Sequence, residues 1–278
     1  TASAGGQATI GLRCPSHPVA QAVMQACTAA GMPGLSAPSA NQFGRVSPTT
    51  ARHVQSEFGD ALLVLDGGEC EVGIESTIVL FGGARIPAPE NKAAARTPML
   101  ADLTRYYDEA RRFARMMTER SMESYGKQNV IVTGGGPGVM EAGNRGASEA
   151  GGQSIGLNIV LPHEQAPNQY VTPDLSFNFH YFAIRKMHFL MRAAAVCIFP
   201  GGFGTLDEMF ESLTLIQTGR MKKVPFLLFG KEWWETVINW THLAEAGVIS
   251  PDDLSLFQFV ETAEEALDAI DGFDRGCA

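Results

Sequence analysis

Residues 194–208 read AAVCIFPGGFGTLDE. The apolar run 194–199 has no polar position, so it reads as a short strand buried on both faces. Pro200-Gly201-Gly202 ends it, and the spacing predicts a helix from about Leu206 to Thr218. Residues 129–142, NVIVTGGGPGVMEA, repeat the plan: a buried strand over 129–133, a glycine-rich turn, then a helix from about Val139 to Ala150. The same alternation runs outward. Further strands are expected at Ile78–Phe81, 154–161, 224–230 and 256–260, and further helices at 103–124, 180–193, 232–246 and 262–270. Leu103, Tyr106, Tyr107, Ala110, Phe113, Ala114 and Met117 share one face of the 103–124 helix. Apolar strands that alternate with helices imply βαβ units and the right-handed crossover. The fold class is therefore α/β, a doubly wound, Rossmann-like parallel sheet, and ligands of such sheets sit at the carboxyl ends of the strands.

Composition narrows the function. The 278 residues carry a formal charge of −9, which argues against general nucleic-acid or anionic-membrane partners. A local basic site for a phosphorylated small molecule is still compatible with that charge. No apolar run reaches transmembrane length. Residues 1–13, TASAGGQATIGLR, have neither the basic region nor the apolar stretch of a signal peptide. Cys14, Cys27, Cys70, Cys197 and Cys277 are scattered and form no CxxC pair, which suits a cytoplasmic setting and offers no metal site. Residues 1–77 hold three arginines and no lysine.

Both glycine turns join a strand end to a helix start. Bare backbone N–H groups and the helix N-terminus together favour a phosphate. Gly134, Gly135 and Gly136 line one turn; Gly201, Gly202, Gly204 and Thr205 line the other. Pro137 fits a first-turn position. No Gly-Lys-Ser/Thr follows either turn, and Val139 stands where GxGxxG needs its third glycine, so ATP hydrolysis and dinucleotide binding are disfavoured. Thr205 and Glu208 have the spacing of a capping box. The same carboxylate, one turn into the helix, suits stabilisation of an oxocarbenium ion or activation of water. Both readings stay open at this level. Arg185-Lys186 reads equally as a solvated basic pair or as cations aimed at a phosphate.

PGGFGTLDE (200–208), Arg185-Lys186 in IRKMHFLMRA, TGGGPGVMEAGNRGA (133–147) and FGGARIP (81–87) resemble the LONELY GUY (LOG) family of cytokinin riboside 5′-monophosphate phosphoribohydrolases. The resemblance runs over about residues 78–271. It implies hydrolysis of the N-glycosidic bond of a nucleoside 5′-monophosphate to free base and ribose 5-phosphate, without a cofactor, by a homo-oligomer. It further implies Glu208 as catalytic carboxylate and Arg185 as its essential partner. The two glycine turns, Thr205 and Lys186 would hold the phosphate and nucleotide. Gly83 departs from the serine common in that family's first turn. Relatives are often labelled lysine decarboxylases; that chemistry calls for a Schiff-base lysine, and Lys186 beside Arg185 gives no such signature.

TIGLRCPSHPVAQAV (9–23), SAPSANQFGRVSPTTARHV (36–54) and LDGGECEVGIESTIV (65–79) resemble the YrdC-type threonylcarbamoyl-AMP synthases of tRNA modification. Arg13 matches a GLR element, and Ser39-Ala40-Asn41 an SxN element. The resemblance covers the C-terminal portion of that domain. The Lys-x-Arg pair of its other half has no counterpart in 1–77. The domain expectation is thus a partial YrdC-like α/β segment over 1–77, an inactive remnant, and a LOG-type hydrolase domain over 78–278. Two rival readings are a YrdC-type synthase or RNA-binding module and a non-catalytic nucleotide-binding protein in which Glu208 only caps its helix.

Overall fold

The computed structural model describes residues 14–32, 34–35, 40, 48–68, 70, 74–159 and 166–273. The chain divides into two units between Gly73 and Ile74. In the first unit, α1 (Pro18–Ala29) and α2 (Ala51–Phe58) are the helices among the described residues. Thr50 caps α2, its hydroxyl accepting from His53 N at 3.2 Å. No described residue of this unit is buried. Arg13, Ser39 and Asn41, singled out in the sequence, lie outside the described residues.

The second unit holds a seven-stranded sheet: β1 (Thr77–Phe81), β2 (Val130–Thr133), β3 (Ser154–Ile159), β4 (Ser176–Phe179), β5 (Ala193–Ile198), β6 (Phe226–Phe229) and β7 (Gln258–Val260). Every pairing is parallel, in the order β4-β3-β2-β1-β5-β6-β7. The helices are α3 (Pro98–Asp102), α4 (Thr104–Met122), α5 (Val139–Glu149), α6 (Phe182–Leu190), α7 (Phe203–Gln217), α8 (Lys231–Val237), α9 (Trp240–Glu245) and α10 (Ala263–Asp271).

Strand alternation sorts the core into two layers. In β1, Ile78 and Leu80 face one cluster with Tyr106, Phe113 and Met117 of α4, Ala142 of α5 and Leu267 of α10. Val79 and Phe81 face the other, with Phe189 of α6, Met209 and Ile216 of α7, Trp234 and Trp240. Apolar side chains on both faces explain why the central strands β1, β2, β5 and β6 read as nearly unbroken apolar runs. The chain builds outward from β1 to β4, then returns to β1's other side with β5. The order therefore reverses between β1 and β5, where doubly wound sheets open a crevice.

Four local expectations shift. The 232–246 helix is two helices, α8 and α9, broken at Ile238-Asn239, and Asn239 recaps the chain by accepting from His242 N at 3.0 Å. Strand β4 is an addition: SFNF alternates polar and apolar at the sheet edge, so it lacks an apolar run. Helix α7 begins at Phe203, three residues earlier than expected. Pro137 stands outside α5, whose cap is Gly138 at φ 71° and whose first residue is Val139.

Candidate active site

At the carboxyl edge of β1, β2 and β5 lies a cleft of about 770 Å³. Both glycine turns line it: Gly134, Gly135 and Gly136 after β2, and Gly201, Gly202 and Gly204 after β5, with Thr205. The turn after β1 joins them. Gly83 N donates to Pro200 O at 2.9 Å, and Gly83 O accepts from Val139 N at 3.3 Å. One residue thus ties the start of α5 to the turn that leads into α7. The first N–H groups of a helix have no intrahelical acceptor; that of Val139 in α5 is taken by Gly83 O, and both helix starts adjoin the glycines that line the cleft.

Arg185 and Glu208 both line this cleft, although 23 positions separate them. Arg185 Nη2 donates to Glu208 Oε1 at 2.6 Å. Their side chains are 9% and 12% exposed, so the pair is largely dry. The guanidinium is flanked by the rings of Phe182 and Phe189, whose centroids lie 5.6 and 5.4 Å from its central carbon. Its Nε is buried without a partner. Burial pushes the Glu208 carboxyl up to about 7, against the lowering pull of Arg185. A carboxylic group poised there can exchange protons near neutral pH.

The capping reading of Glu208 is corrected. Gly202 is the cap of α7, with no side-chain cap bond, and Thr205 sits inside the helix, 5% exposed. The 200–206 backbone enters the helix too early for Thr205 to cap, and Glu208 turns instead to Arg185. Lys186 lies elsewhere. Its ammonium pairs with Asp207 and Glu211, each at 2.6 Å, and it does not line the cleft.

The β2 turn is held by neutral side chains. Thr133 Oγ1 accepts from Gly135 N at 3.0 Å and donates to Asn144 Oδ1 at 2.7 Å. Asn168 Nδ2 reaches Gly135 O, Gly136 O and Asn144 Oδ1 at 3.1, 3.0 and 2.9 Å. Asn158 and Asn178, at the carboxyl ends of β3 and β4, line the cleft as well. The sequence reading singled out none of Arg85, Asn158, Asn168, Asn178 and Trp233. Arg85 had a signal, its place one turn beyond an expected strand end; the asparagines and the tryptophan had none.

The fold and this site define a doubly wound α/β protein with a cleft at its switch point. Residues 140–270 match the family model described as "Possible lysine decarboxylase", and residues 1–86 match "Telomere recombination", the Sua5/YrdC model. The second match runs through β1 and its turn, so the central strand is shared with the stretch before it. The chain is 48% identical over 75 residues to threonylcarbamoyl-AMP synthase of Schizosaccharomyces pombe, 27% of this chain and 17% of that protein. It is 30% identical over 90 residues to the probable cytokinin riboside 5′-monophosphate phosphoribohydrolase LOGL3 of Oryza sativa subsp. japonica, 32% of this chain and 43% of that protein. It thus spans less than half the length of either relative. A solved structure of the protein TM1055 is 22% identical, with a TM-score of 0.48, covering 71% of this chain and 99% of that one. The chain joins a Sua5/YrdC-like stretch to a LOG-like one. Among the described residues no lysine lines the cleft, and no helix is long and apolar enough to cross a membrane.

Proposed function

We propose that the second unit hydrolyses the N-glycosidic bond of a purine or cytokinin nucleoside 5′-monophosphate, releasing free base and ribose 5-phosphate. The observation that carries this reading is the dry Arg185–Glu208 pair between two glycine-rich helix starts in one cleft. The glycine turns and Thr205 bind the phosphate through backbone N–H groups. That anchors the ribose with its anomeric carbon over Glu208. Bond cleavage leaves positive charge on the sugar ring, which the ionised carboxylate stabilises. The base departs with the electron pair of the broken bond; the same carboxylate takes a proton from the attacking water, and that proton is returned through solvent to the base, which restores the carboxylate. Arg185 holds Glu208 in place and opposes its protonation. Phe182 and Phe189 keep water from the pair.

The test is incubation with AMP and isopentenyl-AMP, assaying free base, for the wild type and Glu208→Ala. Base release that is unchanged in the variant removes Glu208 from the mechanism. No release by the wild type leaves a nucleotide-binding protein.

The working form in this proposal is a homo-oligomer in a cytoplasmic setting. Supporting it, α6 and its flanks expose Tyr181, Phe182, Ile184, Met187 and Met191, and α7 exposes Phe203 and Phe210. Exposed apolar side chains in this number fit burial against a second copy. Light scattering showing a monomer at micromolar concentration would count against it. For residues 1–77 we propose an inactive YrdC-like remnant; threonylcarbamoyl-AMP synthesis by the full chain would overturn that.

A further inference from the structure

The charged side chains that line the cleft, among the described residues, are Arg85, Arg185 and Glu208. Arg185 and Glu208 neutralise each other. Lys186, the cation that the resemblance assigns to the phosphate, is held by Asp207 and Glu211 outside the cleft. Arg85 has no ion-pair or hydrogen-bond partner for its guanidinium among the described residues, and it is exposed. Its backbone, by contrast, is fixed. Ile86 N donates to Gly83 O at 3.3 Å, closing a turn in which Arg85 is the third residue, and Ile86 is anchored in the core at 2% exposure. Gly83 is also the residue that joins both glycine turns. A free cation therefore stands on a rigid mount where two helix N-termini converge.

We propose that Arg85 binds the substrate's 5′-phosphate, as the side-chain counter-ion that Lys186 does not supply. The inference rests on the nucleotide reading of the cleft and adds the residue that separates phosphorylated from unphosphorylated ligands. A phosphate carries about −1.5 to −2 charges at neutral pH, and the helix starts supply only partial charges. In a chain of net charge −9, a dianion needs a full local cation to be drawn in. A guanidinium meets two phosphate oxygens at once, and its exposure lets it swing onto the ligand without breaking a contact.

The experiment titrates the wild type, Arg85→Ala and Arg85→Lys with AMP, ribose 5-phosphate and adenosine by calorimetry, and follows base release from AMP. Arg85→Ala weakens AMP and ribose 5-phosphate by roughly 10–100-fold, leaves adenosine within about twofold, and keeps the melting temperature. Arg85→Lys recovers part of the loss, and Lys186→Ala leaves AMP within about threefold. Equal losses for AMP and adenosine, or an unchanged AMP affinity, overturn the proposal. So does a wild type that binds neither phosphorylated ligand. If the wild type binds AMP and releases no base, the hydrolase reading falls alone, because the AMP-to-adenosine ratio still decides the role of Arg85.

Discussion

The glycine-rich turns after β2 and β5 flank the same central strand and open into the same cleft, yet they hold their shape by different means. After β2, glycine is dictated by the protein's own atoms. Gly135 and Gly138 have φ near +70°, and a β-carbon on Gly135 would collide with Asn158, one on Gly138 with the backbone of Gly83 and Ala84. Asn168 and Thr133 then fasten the turn. After β5, a β-carbon on Gly202 or Gly204 would meet nothing within 4 Å, and neither residue has positive φ. That turn carries the ionisable machinery through Glu208. The first turn is shaped by packing. The second is packed at Gly201, where a β-carbon would run into the Thr205 side chain, and is left bare at Gly202 and Gly204.

The largest expected effect falls on the second turn's chemistry. Glu208→Ala lowers the rate of base release by about 10²–10⁴-fold, in the range for loss of a positioned acid–base group, while AMP binding measured by calorimetry stays within about threefold. A comparable loss from Asn168→Ala, without loss of stability, would break the division between the two turns. Next comes Gly138→Ala. A non-glycine residue held at the φ 71°, ψ −131° of Gly138, outside the left-handed helical well, costs about 1–3 kcal/mol, and crowding against Gly83 and Ala84 adds about 1–3 kcal/mol. Denaturant unfolding should show a loss of about 3 kcal/mol. A change under about 0.5 kcal/mol would mean that the turn yields freely and is not shaped by packing.

What the residues disclosed on their own follows the same division. The central strands β1, β2, β5 and β6 were legible because burial on both faces writes nearly unbroken apolar runs, and β3 and β7 were legible despite Asn158 and the exposed Gln258. Strand β4 was not, since an edge strand with half-exposed faces needs no such run. Glu208 and Arg185 were legible as types at a helix start, but their contact joins α6 to α7 across 23 positions, and local spacing cannot show it. The capping-box pattern at Thr205 misled because the helix starts at Phe203, with backbone and not side chain setting its first turn. Lys186 lies outside the cleft for a related reason. Adjacent helical residues diverge by about 100°, so if Arg185 faces the cleft, Lys186 faces the acidic side of α7. Asn158 and Asn168 act through the backbone of a remote turn, which no motif records.

A smaller effect is expected at Gly204. Alanine there meets open space and a helical backbone, so stability is unchanged or rises by up to about 1 kcal/mol. In the proposed reaction the methyl group would stand among the N–H groups assigned to the phosphate, and KM for AMP should rise about tenfold with kcat nearly constant. A fall in melting temperature comparable to that of Gly138→Ala would show that both turns obey packing and would erase the contrast.

The smallest effect is the pH profile. The β2 turn is fastened by amides and a hydroxyl that do not titrate between pH 5 and 9, whereas Glu208 does. Burial raises its carboxyl to about 7, and the proposed hydrolysis requires the ionised form. Activity is therefore full above that value and is lost as pH falls through it. At pH 7 the rate is about half its alkaline plateau, and it drops about tenfold per unit further down. AMP brings its own ionisation near pH 6, so kcat at saturating substrate must be compared with the titration of free AMP. A limb near 7 in kcat assigns the proton to the enzyme. A limb near 6 that follows the nucleotide alone would mean that Arg185 keeps Glu208 ionised throughout, and that the pull of that ion pair outweighs the cost of its burial.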